Sequence, residues 1–185
     1  AGNRIDVVDL YRFRVENRSE VRLTLRGFPQ SRLVLLSENG RVLSSSDGPG
    51  TMTATLGHGL FYVAVRAIGG GHGRYRISLL ERRLTTTTLL ANGSPRAIVP
   101  PGSSVAIDAA VNFSPDGRVR LEIDRFDPLT GWHFYRLFRL RVSGGHARLS
   151  WRPPAIGHWR AHATFFGTRT ASPSESGTAR IVVEG

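Results

Sequence analysis

From Tyr11 to Val183 the apolar residues of this chain recur mostly at every second position, and no comparable stretch keeps the 3.6-residue period of a helix. The first half reads Tyr11, Phe13, Val15; Val21, Leu23, Leu25; Phe61, Val63, Val65; and Tyr75, Ile77, Leu79. The second reads Val105, Ile107, Ala109, Val111; Val119, Leu121, Ile123; Ala147, Leu149, Trp151; Trp159, Ala161, Ala163, Phe165; and Ala179, Ile181, Val183. Successive side chains of a strand point to opposite faces, so this pattern predicts antiparallel sheets with one face buried and one wet. The fold class expected is all-β.

Turn signals punctuate the alternation where sandwich strands should end. Asn39-Gly40, Asp47 to Gly50, Gly57 to Gly59 and Gly69 to Gly73 divide the first half. Ser114 to Gly117, Asp127 to Gly131, Ser143 to Gly145 and Pro153 to Gly157 divide the second, and a Ser/Thr-rich loop spans Gly167 to Gly177. About seven or eight short strands precede residue 84, the spacing of a β-sandwich. The boundary falls in the charged stretch Glu81 to Leu84, and Thr85 to Thr88 is a β-branched run suited to opening a new strand. Two consecutive antiparallel β-sandwich domains are expected, residues 1–83 and 84–185.

Composition narrows the class further. The chain has no cysteine, so no disulfide supports either half and each must build its own core. No run approaches the ~18 apolar residues of a membrane-spanning helix. Every one of the 25 basic residues is arginine, a usage that fits a GC-rich bacterial coding bias. The start at Ala1 and not at a methionine fits either removal of a leader or excision from a longer chain.

Two resemblances follow from particular residues. Asp9-Leu10-Tyr11-Arg12-Phe13, the strand Val21 to Leu25, Gly40-Arg41-Val42-Leu43, Gly59 to Val65 and Tyr75 to Ser78 resemble the bacterial pre-peptidase C-terminal domain, a jelly-roll-like sandwich. That resemblance implies export in company with secreted hydrolases, and binding of collagen or polysaccharide. Some members hold calcium through acids near their start; Asp6 and Asp9 are the early acids here, and no other cofactor is expected. The second half is similar to a bacterial immunoglobulin-like domain, through Gly117 to Leu121, Gly131-Trp132, Gly145 to Trp151 with Pro153-Pro154, Gly157 to Ala161 and the closing Ser174 to Val183. Such domains are adhesive or spacer modules and carry no catalytic residue.

Candidate chemistry is sparse. His158 and His162 have a zinc-like HxxxH spacing, but on a strand four residues span ~13 Å, too far for one ion. Gly69 to Gly73 lacks both the GK[ST] ending and the helix of a phosphate loop. No GxSxG nucleophile elbow occurs. Aromatics and arginines remain. Trp132 and Tyr135 follow the Asp127 to Gly131 turn, where rings either pack or stack on sugar faces. Trp151 and Trp159 fall in phase with small inward residues and read as core.

The net charge of +11 is shared, 13 arginines against 7 acids before residue 85 and 12 against 7 after it. Arg118, Arg120, Arg136, Arg139 and Arg141 form the group best placed to gather on adjacent strands. The reading is a non-catalytic, exported or cell-surface binding or spacer module of a bacterium. Alternatives are a carbohydrate-binding module using exposed aromatics, or non-specific binding of a polyanion such as a cell-wall polymer or nucleic acid. Sequence-specific nucleic-acid recognition needs a reading element that is absent.

Overall fold

The computed structural model describes residues 8–69 and 71–185, and no helix occurs among them. The chain divides after Arg83 into two compact units. Each is a β-sandwich, with core side chains supplied by two facing sheets.

In the first unit β1 (Val8–Val15), β6 (Gly59–Ala67), β3 (Ser31–Ser37) and β4 (Val42–Asp47) form one sheet in the order β1-β6-β3-β4. The other has the order β5-β2-β7, from β5 (Gly50–Leu56), β2 (Ser19–Gly27) and β7 (Tyr75–Arg83). The chain crosses repeatedly between the two sheets. Val21, Leu23 and Leu25 of β2 alternate inward and meet Leu33, Leu35, Val63 and Val65 of the opposite sheet. Each such fully buried side chain contributes ~1.5–3 kcal/mol relative to exposure. Tyr11 and Leu79 depart from the expected pattern, standing 42% and 41% exposed. Both lie on edge strands, β1 and β7, where the facing sheet gives no complete cover.

The second unit sets the sheet β13-β10-β8 against β12-β11-β14-β16-β9. The smaller sheet contains β8 (Thr87–Ala91), β10 (Val105–Val111) and β13 (His146–Trp151). The larger contains β9 (Arg96–Val99), β11 (Gly117–Asp127), β12 (Gly131–Val142), β14 (Gly157–Phe165) and β16 (Ala179–Val183), with the short β15 (Ser174–Glu175) on β14. β9 runs parallel to β16, and the other pairings of this unit are antiparallel.

Its core interleaves large and small side chains. Trp151, Trp159 and Phe165 pack among Ala109, Ala147, Ala161, Ala163 and Ala179, with Val119, Leu121, Ile123 and Ile181 around them. Trp159 meets Trp151 edge-on at 5.3 Å between ring centroids and donates its indole N–H to the Ala155 carbonyl at 3.2 Å. The β-branched run at the boundary acts as a staple. Thr85 donates its hydroxyl to the Ser172 carbonyl at 2.8 Å, and Thr87 bonds the Ser174 hydroxyl at 2.7 Å, fixing the Ser/Thr-rich loop to the start of β8. Gly145 has φ +85°, and a Cβ there would come within 2.8 Å of the Ser114 Cα and the Val111 carbonyl oxygen. Only glycine fits that turn.

Candidate functional site

β12 is the edge strand of the larger sheet, and it carries an irregularity that decides its surface. Register with β11 is regular from Gly117↔Val142 to Ile123↔Arg136, then resumes at Asp124↔Phe134, so Tyr135 is one extra residue. Two residues of a bulged strand oppose one on the partner, and alternation changes phase across them. Before the bulge Trp132 and Phe134 point outward, opposite Phe126 and Asp124. After it Leu137, Arg139 and Arg141 point outward, opposite Glu122, Arg120 and Arg118.

The bulge separates the two aromatic candidates. Tyr135 turns to the inner side, its ring edge-on to Trp159 at 5.1 Å and tilted against Trp151 at 6.4 Å. Trp132 stays on the outer face, tilted on Phe126 at 5.2 Å, with the Arg160 guanidinium 4.6 Å above its ring. Asp124, nearly buried, accepts from the Nε of Arg160 at 2.8 Å and holds that guanidinium in place.

Four of the five candidate arginines come together. Arg118 faces Arg141 and Arg120 faces Arg139 in two successive cross-strand pairs on the outer face. Arg136 does not join them: it is in phase with Phe138 and Leu140, and its guanidinium lies 5.2 Å from the Phe138 ring centre. Arg120 is ion-paired to Glu122 at 2.8 Å, and Glu122 also meets His162 at 3.1 Å. Arg118, Arg139 and Arg141 have no carboxylate partner among the described residues. Like charges directly opposite one another are destabilising, so this end of the face is poised for an anion. A shallow groove of about 490 Å³ runs between Asp116, Arg118, Arg139 and Arg141.

At the opposite end of the same strands lies a second groove, of about 420 Å³. Phe126, Trp132, His158 and Val182 line it together with Arg96 and Arg180. Arg96, Phe126 and Arg180 carry no motif in the sequence; the parallel β9–β16 pairing places Arg96 beside Arg180. The turn beneath Trp132 is fixed by Asp127, whose Oδ1 accepts the N–H of Leu129 at 2.8 Å and of Thr130 at 3.1 Å. Those two backbone donors hold its carboxyl below the usual carboxylate range.

The calcium candidates fall in the first unit. Asp6 lies outside the described residues, and Asp9 accepts the hydroxyl proton of Tyr75, which in turn meets the Tyr11 hydroxyl at 2.7 Å. Burial, and then the bond to Asp9, push the Tyr75 hydroxyl far above its ordinary value. Among the described residues no group of three His, Asp or Glu side chains is placed to hold a metal ion. His158 and His162 both lie on the outer face of β14 with different partners, His158 edge-on to Phe126 and His162 on Glu122. Among the described residues no helix is long and apolar enough to cross a membrane.

No family model matches the chain, and no curated protein matches it. Among solved structures it is similar to a β-glucuronidase of Bacteroides uniformis, with TM-score 0.31 and 10% identity, over 95% of this chain and 26% of that one. It is also similar to a DUF4785 family protein of Legionella pneumophila, with TM-score 0.32 and 11% identity, over 98% of this chain and 63% of that one. The chain thus spans about a quarter of the glucuronidase and under two thirds of the second protein. Likeness at this level carries no argument about fold or function.

Proposed function

We propose that this chain is a non-catalytic binding and spacer module, exported or held at the surface of a bacterium. Its binding face is the outer face of the larger sheet in the second unit. The immunoglobulin-like reading of that unit is supported by three strands set against six and by the parallel edge pair β9–β16. The jelly-roll-like reading of the first is supported by its four-and-three division and repeated crossings.

The observation that carries the proposal is the cross-strand ladder of Arg118, Arg141, Arg120 and Arg139, in which only Arg120 has an acidic partner among the described residues. An uncompensated cationic row on flat sheet suits an anionic surface polymer: guanidinium forks engage carboxylate, sulfate or phosphate bidentately. The test is affinity for immobilised heparin as a model polyanion, measured against salt with the full chain. R118Q/R139Q/R141Q is expected to weaken binding roughly tenfold or more at low salt and to flatten the salt dependence. Equal affinity and equal salt slope for the variant and the parent would remove the proposal.

A carbohydrate-binding reading has its own support. Trp132 and Phe126 stand 37% and 38% exposed and line one groove together, their rings 5.2 Å apart.

A further inference from the structure

We infer that the groove between Phe126 and Arg180 is a binding site for a short saccharide bearing one anionic group, carboxylate or sulfate, on a ring. The inference rests on the outer face of this sheet being the binding surface, and it names residues apart from the arginine ladder.

Two rows of outward side chains cross the strands here. In one, Trp132, Phe126, His158, Val182 and Ile98 follow one another across β12, β11, β14, β16 and β9. In the next, Phe134, Asp124, Arg160, Arg180 and Arg96 do so. An apolar row thus runs beside a cationic one.

The charges within the cationic row are unequal in state. Arg160 is neutralised by Asp124 and lies on Trp132. Arg180 and Arg96 are register neighbours, so their strands lie ~4.8 Å apart, and neither guanidinium has a carboxylate partner among the described residues. Two free guanidiniums side by side repel one another, and one anionic group between them relieves both. From Phe126 to Arg180 is two strand spacings and to Arg96 three, ~10–14 Å. That is the reach of an oligosaccharide of a few rings.

The chemistry of the floor selects the ligand class. β11, β14 and β16 are interior strands whose backbone groups are engaged in ladders on both sides, so no strand can be added here and recognition falls to side chains. The Phe126 and Trp132 rings offer apolar surface to the C–H face of a pyranose, and the His158 imidazole offers a hydrogen-bonding partner for hydroxyls. Single-stranded nucleic acid needs cations spread along a backbone track, with free ring faces between them. Here the free cations are bunched at one end, and one face of Trp132 is covered by Arg160.

The test is titration of the full chain with oligogalacturonate, a sulfated oligosaccharide, a neutral oligosaccharide and oligo-dT, followed by tryptophan emission. Trp132 and Trp159 line the groove and Trp151 does not, so a ligand-dependent change reports on the groove. One of the two acidic saccharides is expected to bind, and which one tells carboxylate from sulfate. R96Q/R180Q should weaken that binding roughly tenfold or more, F126A should weaken it too, and R139Q/R141Q should leave it unchanged. All five positions are exposed, and circular dichroism checks that the variants fold. Equal binding of the neutral sugar, tighter binding of oligo-dT, no binding of either acidic saccharide, or indifference to R96Q/R180Q would each overturn the inference. Loss of heparin binding in the ladder variant, together with any of those results, would leave the polyanion proposal standing and remove this one alone.

Discussion

The first unit closes its core with aliphatic side chains, Leu23, Leu25, Leu33, Leu35 and their valine neighbours, and keeps Phe13, Phe61 and Tyr75 at the margins. The second drives Trp151, Trp159 and Phe165 into the centre and makes room for them with alanines on facing strands. Both solutions exclude water, but they differ in what lies directly under the surface. Trp159 and Ile181 form part of the floor of the aromatic groove. Side chains of such size, interlocked with alanines, have few alternative rotamers, so the outer residues of the same strands inherit fixed positions. In the first unit the exposed apolar residues are scattered, Val8 and Leu10 on β1, Val42 and Leu43 on β4, and Leu79 on β7.

The sharpest way to break this contrast is to remove one keystone from each core. Trp159→Ala should cost ~3–5 kcal/mol and Leu35→Ala ~2–5 kcal/mol. The three tryptophans are all in the second unit, so denaturation followed by tryptophan emission reports that core, while circular dichroism reports both. Trp159→Ala must shift the emission midpoint; Leu35→Ala should shift circular dichroism and leave it in place. A common shift in both signals would mean that the two cores unfold as one.

A smaller effect concerns the aromatic margin of the first unit. Tyr75 holds its proton more tightly folded than unfolded, because its hydroxyl is partly buried and bonded to Asp9. The stability this confers is fully present below pH ~10, the ordinary tyrosine range, and declines as pH rises beyond it. Tyr75→Phe should lose ~0.5–1.5 kcal/mol at neutral pH and flatten the alkaline decline seen by circular dichroism. An unchanged alkaline slope would show that Tyr75 is not its source.

Smallest of all is the hairpin turn of the second unit. The Asp127 carboxyl is held low by two backbone donors, so its contribution is present above the ordinary aspartate range and fades as pH falls toward the lowered value. Asp127→Ala should narrow the gap between stability at pH 6 and at pH 3, read by tryptophan emission. An identical gap in both proteins would dismiss the turn as a source of acid sensitivity.

Much of the interior was readable as alternation. Val105 to Val111, Val119 to Ile123 and Trp159 to Phe165 are buried at the expected positions, because burial on one face of a strand leaves a direct periodic trace. Tyr11 and Leu79 had the right phase but sit on edge strands, and phase carries no information about sheet edges. The arginine group was legible as a set of strand residues; the exclusion of Arg136 depended on register. Arg96 and Arg180 left no signal at all, since a parallel pairing between distant segments brings them together. The grooves they help to form belong to the pairing of strands and to no local motif.

The additional residue in β12 has a larger reach than its size suggests. With strict two-residue alternation, Trp132 and Phe134 would share a face with Arg136 and oppose Arg139 and Arg141. The same sequence paired without the bulge, its composition and charge unchanged, would show solvent an aromatic wall or a basic one and hide the other. The bulge at this single position works here as a parity bit for the whole recognition surface.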